Sequence, residues 1–334
     1  MNRRTFLMSA AGAAGCRRNE ARLNVFNWSG YISPRVVPRF EEETGIQVRY
    51  AVYESNEEML ARVISGNSGW DIVFPSHYCL QPMLRQGLLA PLRHGWLPNL
   101  ANLEREFQSP PWDQELRWTM PYLWGGTGIL YNARLAPAPD FWASMWEARM
   151  ERRITMLNDP AEVLGAALLK LGLSANSSDA GELRRAQKEA LAQKRLLRGY
   201  LNAEVLDQVV AGDVQAAQAW SSSAQQAMDE SGDLRFAYPR EGFPLYADGA
   251  VVLRESRRAE AAHRFLDYLL RPEVAVLNHR TARSASCIRL PAELRANAVL
   301  YPPADVLARG EWWKTPPVSV QRLRDRLWTE ILSG

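Results

Sequence analysis

The chain has 334 residues, too many for one ordinary core at roughly 150 residues per domain, so two domains are expected. Its 47% hydrophobic and 23% charged residues exclude wholesale disorder, and no apolar run reaches the roughly 18 residues needed to cross a bilayer. Forty basic against 37 acidic residues leave +3, too balanced for nonspecific binding to a nucleic-acid duplex, and three cysteines are too few for a disulfide framework. The unusual count is aromatic: 12 Trp and 11 Tyr supply rings that suit a binding cleft as well as a core.

The first element in chain order is an address. Arg3 and Arg4 precede an uncharged stretch from Phe6 to Gly15, and small residues, Ala13-Ala14-Gly15, stand before Cys16. That pattern reads as an export signal over residues 1–16. The paired arginines followed by Phe6-Leu7 resemble a twin-arginine signal. Small residues directly before a cysteine resemble a lipoprotein cleavage box, with Cys16 as the lipidated residue, although Ala13 stands where a leucine is usual. The expected location is periplasmic, or anchored to a membrane through Cys16. Removing the signal takes the formal charge from +3 to +1, because Arg3 and Arg4 leave with it. Residues 17–22 read as a tether. Cys79 and Cys287 then remain, either as a pair in an oxidising compartment or as two separate buried thiols.

Residues 23–28 predict a first strand and 35–43 a helix that Gly45 stops at its C′ position. Residues 46–53 alternate as a second strand. Ser55-Asn56-Glu57-Glu58 has capping-box spacing and opens a helix through Met59, Leu60, Val63 and Ile64 that ends at Gly66. Residues 71–75 predict a short buried strand, and 79–86 a helix closed by Gly87. This alternation argues a parallel sheet with helices on both faces, and such sheets take ligands beyond the carboxyl ends of their strands. Asn27-Trp28-Ser29-Gly30-Tyr31 and Pro75-Ser76-His77-Tyr78 both lie there. Residues 118–132, apolar and punctuated by glycine, predict a strand crossing between two lobes. A second series follows: a strand at 154–157, a helix at 160–171 ending at Gly172, a charged surface helix at 181–198, and strands at 214–220 and 234–238. Residues 245–253 would cross back, and helices are predicted at 258–270, 272–283 and 319–332.

Catalytic and metal chemistry finds little support. His77, His94, His263 and His279 form no metal-binding spacing, and there is no G-x-S-x-G elbow. Ser76 and His77 are adjacent in a predicted strand and so face opposite sides, with His77 read as solvent-facing. Gly125-Gly126-Thr127-Gly128 lacks the Lys-Ser/Thr of a phosphate loop, and close packing at the lobe crossing explains it better. Arg149, Arg152 and Arg153, and Lys188, Lys194, Arg195 and Arg198, read as solvated helix faces. The expectation is a protein that is not an enzyme and carries no metal or cofactor.

From residue 23 to near the C-terminus the chain resembles the spermidine/putrescine-binding proteins of bacterial ABC importers. The resemblance rests on Asn27-Trp28-Ser29-Gly30-Tyr31, Tyr53-Glu54-Ser55-Asn56-Glu57, Asp71-Ile72-Val73-Phe74-Pro75-Ser76, Pro121-Tyr122-Leu123-Trp124-Gly125-Gly126-Thr127-Gly128 and Leu270-Arg271-Pro272-Glu273-Val274-Ala275, in that order. It implies an α/β, two-lobe periplasmic-binding-protein fold of type II, each lobe a central sheet flanked by helices with a ligand cleft between them. On that plan residues 23–123 and 245–293 form the first lobe, and 124–244 and 294–334 the second. The implied partners are a small cationic solute and an inner-membrane ABC permease, with no nucleic acid, and the protein itself a monomer. By matching motif positions, Trp28, Ser29, Tyr31, Ser76 and Tyr78 would line the first lobe. Asp159 and Glu162 would be the second-lobe carboxylates, Trp220 a cleft wall, and Tyr246 with Asp248 an aromatic and an amine-binding acid. Asp159-Pro160-Ala161-Glu162 is equally a helix start, and the two roles are compatible.

The chain also departs from that family. Gly30 stands where an acid is usual, Ser223 where diamine binders have an aspartate, and Trp313 where some members have a polar contact. The alignment sets Arg283 at a cleft tyrosine, where it would repel a cation or attract an acid. The ligand is therefore expected to be a diamine or short triamine, with a zwitterionic solute, or a sensing role toward a membrane receptor, as the alternatives.

Overall fold

A computed structural model describes residues 22–135, 137–202 and 205–334. The expected export signal with Cys16, and all of the expected tether but Arg22, lie outside the described residues.

The strands in chain order are β1 (Arg22–Trp28), β2 (Gln47–Tyr53), β3 (Ile72–Val73), β4 (Leu89–Ala90), β5 (Thr119–Asn132), β6 (Ile154–Met156), β7 (Leu197–Tyr200), β8 (Ala216–Trp220), β9 (Leu234–Ala237), β10 (Phe243–Leu253), β11 (Ala285–Ser286) and β12 (Gly310–Trp312). The helices are α1 (Val36–Thr44), α2 (Asn56–Val63), α3 (Leu80–Arg85), α4 (Pro160–Lys170), α5 (Ala180–Lys194), α6 (Val205–Val210), α7 (Ser221–Glu230), α8 (Ala259–Leu269), α9 (Pro272–Ala282), α10 (Ala304–Leu307) and α11 (Val318–Ser333).

Pairing runs β2-β1-β3-β10-β5-β8-β6-β7. Both ends of that order are parallel, β1 with β2 and β3, and β6 with β7 and β8, as the βα alternation requires. The middle is antiparallel, and β5 makes the join. Its first half pairs with β10 and β11, whereas Thr127 onward pairs with β8 and β9. The fourteen-residue crossing strand is thus where the sequence put it. Its glycines admit close neighbours: a Cβ on Gly125 would lie 2.6 Å from the Tyr246 hydroxyl, and one on Gly128 2.5 Å from the Ala237 carbonyl oxygen.

Two main cores result. One gathers Leu23, Phe40, Ile72, Tyr122, Val252, Phe265 and Ile288, and the other Ile129, Met156, Leu164, Leu168, Leu183 and Ile331. The sequence-based boundary at 294 fails on packing. Leu294, Leu300, Tyr301, Val306 and Trp312 lie on the first core, held by β12 pairing with the start of β10, and the chain enters the second core at Trp313.

Three local expectations are also corrected. The charged helix expected over 181–198 ends at Lys194, and Leu197–Tyr200 leaves it to pair with β6, so a sheet partner overrides helix-compatible composition. Helix α7 was missed because its buried face is Ser221, Ser222, Ala224 and Ala227, too small and polar to show an apolar stripe. His77 starts a 3₁₀ turn, His77–Cys79, before α3, rather than continuing a strand.

Candidate functional site

The strand ends and one helix start bring side chains from both cores together. Strand β10 carries Asp248, 2% exposed, opposite Ser76 in an isolated antiparallel bridge. Ser76 Oγ donates to Asp248 Oδ1 at 2.6 Å, and Tyr31 Oη donates to Oδ2 at 2.8 Å. Burial pushes the Asp248 carboxyl up to about 6, against the pull of these two hydroxyl donors. Trp28 at the end of β1 donates its indole N–H to the Phe74 carbonyl at 2.8 Å, and its ring lies 6.0 Å from Tyr31 and 4.8 Å from Tyr53. With its polar edge satisfied by backbone, Trp28 offers a ring face.

The other acidic end sits at the start of α4. Asp159 caps that helix, Oδ1 accepting from the N–H groups of Ala161 at 2.8 Å and Glu162 at 3.1 Å. The helix-start reading is therefore correct, and the acid still lies beside Glu162. Trp220, closing β8, and Trp313, following β12, both donate indole N–H to Glu162 Oε1 at 3.3 Å. Glu162 Oε2 is buried without a partner among the described residues. Burial, then the neighbouring Asp159 charge, raises the Glu162 carboxyl well above its usual range. Burial also raises Asp159, against its two backbone N–H bonds and the Arg324 guanidinium.

Tyr246 lies between these ends, within electrostatic reach of both Asp248 and Glu162, its hydroxyl 3.4 Å from Ser222 Oγ. Tyr78 belongs to the first lobe in sequence but packs on the second core, and its hydroxyl accepts from Asn56 Nδ2 at 2.9 Å. Of the ten candidates, nine are drawn into this arrangement. Ser29 is not: it is exposed, and its backbone N–H bonds the Tyr53 carbonyl.

Several expectations about neighbouring residues change. Arg283 does not face the acids; it takes the left-handed cap of α9 at φ 50 and pairs with Asp229 at 2.6 Å. Gly30 is also left-handed, at φ 70, so the acid usual in the family would be strained there. His77 is buried rather than solvent-facing: Nε2 donates to the Trp313 carbonyl at 2.7 Å and Nδ1 accepts from Ala247 N–H at 3.2 Å. Burial lowers it to about 4, leaving a neutral ring that ties the strand-end turn to the segment carrying Trp313. Cys79 and Cys287 are free and buried, so the two-thiol alternative holds.

Three site residues escaped sequence reasoning. The sequence marks Trp313 only as a departure from the family, and Asn56 and Glu57 only within the capping spacing and the 53–57 stretch of the resemblance, with no site role given to them. Glu57 is exposed on the first turn of α2, and its charge acts on both Asp159 and Tyr78. No sequence signal marks the tryptophan as an acid's partner; the capping spacing hid the other two.

Among the described residues, no lysine or arginine forms an ion pair with Asp159, Glu162 or Asp248. Acids drawn out of water without an ion-pair partner among the described residues, separated by aromatic rings, are arranged to accept a positively charged ligand.

The comparisons with known proteins agree in kind. The chain is 30% identical to the putrescine-binding periplasmic protein PotF of Escherichia coli, covering 93% of this chain and 91% of that one. It is 30% identical to the putrescine/cadaverine-binding protein of Pseudomonas aeruginosa, covering 96% of each. In three dimensions it is similar to the spermidine/putrescine ABC transporter substrate-binding protein PotD of Streptococcus pneumoniae, with a TM-score of 0.83, 27% identity, and 94% and 99% of the two chains covered. The two-lobe fold read from the sequence is that of these proteins. With its pattern matched over residues 35–284, the chain belongs to the bacterial extracellular solute-binding protein family.

Proposed function

We propose that this chain is the extracytoplasmic solute-binding component of an ABC importer, that it takes a polyamine of putrescine or spermidine type between its two lobes, and that it hands the solute as a monomer to a membrane permease. It acts by binding and not by catalysis. The observation that carries this reading is the pairing of Asp248 at one end with Glu162 and Asp159 at the other, none with a side-chain ion-pair partner among the described residues, with Trp28, Tyr246 and Trp220 around them. A polyamine is an apolar chain with ammonium ends. Rings cover its methylenes, and each well-placed ring adds about 0.5–2 kcal/mol of cation–π attraction. Carboxylates select its ends, since unpairing one desolvated charge costs about 3–5 kcal/mol. The relatives named for putrescine, cadaverine and spermidine support the ligand class. Arg283 turns away to Asp229, so it is not placed to receive the carboxylate of a zwitterionic solute.

Titration calorimetry of residues 17–334 with putrescine, cadaverine, spermidine and 4-aminobutyrate tests the proposal. Binding is expected for at least one of the three amines and not for 4-aminobutyrate. Silence with all three amines, or preference for the zwitterion, overturns it.

A further inference from the structure

Asn56 is 4% exposed, and every polar group of its side chain is engaged. Its Oδ1 accepts from the Ser76 backbone N–H at 3.2 Å. A backbone N–H can only donate, so this bond fixes which end of the amide is oxygen. The Nδ2 group must then face the two hydroxyls it touches, Ser76 Oγ at 3.0 Å and Tyr78 Oη at 2.9 Å. Both hydroxyls therefore accept from Asn56, and their own protons point elsewhere. For Ser76 that direction is Asp248 Oδ1, at 2.6 Å.

We propose that Asn56 is a positioning residue that fixes the polarity of this chain of hydrogen bonds, from Asn56 through Ser76 to Asp248, so that Asp248 faces the ligand as an acceptor with its supporting donors already in place. The inference rests on the polyamine reading and extends it to a residue that makes no ion pair with a cation. Consecutive hydrogen bonds of one polarity reinforce one another, and a group held in position beforehand need not reorganise when the ligand arrives. Helix α2 supplies the rigid base: Ser55 Oγ accepts from Glu58 N–H at 3.1 Å, so Asn56 sits on a capped first turn. Asp248 has titratable neighbours in Tyr31, Tyr53, Tyr246, Cys79 and Cys287, all pushed up by burial, with His77 bonded to the adjacent Ala247 and lowered to about 4. None of the tyrosines or cysteines changes charge between pH 5 and 8, so Asp248 can be followed there.

The decisive variant is Asn56→Asp, which keeps the shape and adds an acid. Charge alone would tighten the grip on a cation. Reversed polarity does the opposite, because a carboxylate at 56 draws the Ser76 proton away from Asp248. Putrescine affinity is expected to fall about tenfold in Asn56→Asp, the scale of one hydrogen bond to a charged group, and no more than about twofold when Ser76→Ala is already present. In the ligand-free protein, the Asp248 carboxyl, followed by carbon NMR, should titrate at higher pH in Asn56→Asp, with a smaller shift in the Ser76→Ala background. Tighter binding, or equal effects in both backgrounds, overturns the proposal. Should Asn56→Asp not fold, Asn56→Ala makes the same comparison, with a loss of about threefold expected only where Ser76 is present. If the unsubstituted chain binds no amine, the polyamine reading falls, and the ligand-free titration still decides the role of Asn56.

Discussion

Asp248 has a hydroxyl donor on each oxygen, Ser76 on one and Tyr31 on the other, whereas Glu162 has two indole donors on one oxygen and, among the described residues, none on the buried second. The donors at the first end come from the turns after β1 and β3, and those at the second from the ends of β8 and β12. The difference lies in what an arriving ammonium changes. At Asp248 it joins a carboxylate already supported as an anion. At Glu162 it meets an oxygen with no partner among the described residues, on a group that burial and Asp159 hold toward its protonated form. The first end is prepared for charge; the second becomes charged as the cation settles against it.

Removing the charge at each end gives the sharpest test of that contrast. Asp248→Asn should weaken polyamine binding about a hundredfold, roughly 3 kcal/mol, at the low end for breaking a desolvated ion pair. Glu162→Gln should cost nearer tenfold at pH 7, since part of that charge is absent before binding. Equal losses in calorimetry would erase the distinction between the ends. Without ligand the order inverts. A buried acid raised from 3.8 to about 6 opposes folding at neutral pH, and that penalty fades as pH falls from about 6 to 4. Asp248→Asn should therefore melt above the parent at pH 7, and its advantage should vanish by pH 4.

Acidification attacks both ends in the intact chain. A protonated Asp248 has no charge to offer, so affinity is lost as pH falls through about 6, while the amines, with pKa values near 10, keep theirs. Between pH 7 and 5 the loss should be roughly tenfold from Asp248 alone, and steeper if the raised Glu162 and Asp159 carboxyls contribute. Affinity independent of pH over that range would place the ligand away from these acids.

The halves of the site were unequally legible in the sequence. Trp28, Tyr31 and Ser76 sit at or just past strand ends, which alternation with βα order is enough to locate, whereas Asp248 lies in the middle of β10 and is marked only by the resemblance. The crossing strand showed itself by its glycines and apolar run. Trp313 could not be read in the same way. Its role depends on β12 pairing with β10 across more than sixty residues of chain, which delivers the indole to Glu162. The orientation of Arg283 was equally hidden, since a left-handed helix cap and a partner on α7 are both tertiary facts. Asn56 was read as part of a helix start because Ser55 and Glu58 satisfied that spacing, and nothing local shows that its amide turns toward Ser76.

Asp159 carries the smallest expected effect and separates two roles of one carboxylate. As a cap it needs only an acceptor for the N–H groups of Ala161 and Glu162, and asparagine supplies one about as well as aspartate. As a ligand acid it needs charge. That charge is already offset in part by the start of α4 and by Arg324, so a cation gains less from it than from Asp248. Asp159→Asn should then melt no lower than the parent at pH 7, because it removes a carboxyl that burial raises, and lose about threefold in affinity. Asp159→Ala should lose the same binding and fall about 1 kcal/mol below Asp159→Asn in stability, the loss of the cap. If Asp159→Asn binds as well as the parent, the residue is a cap alone, and the charge at that end belongs to Glu162.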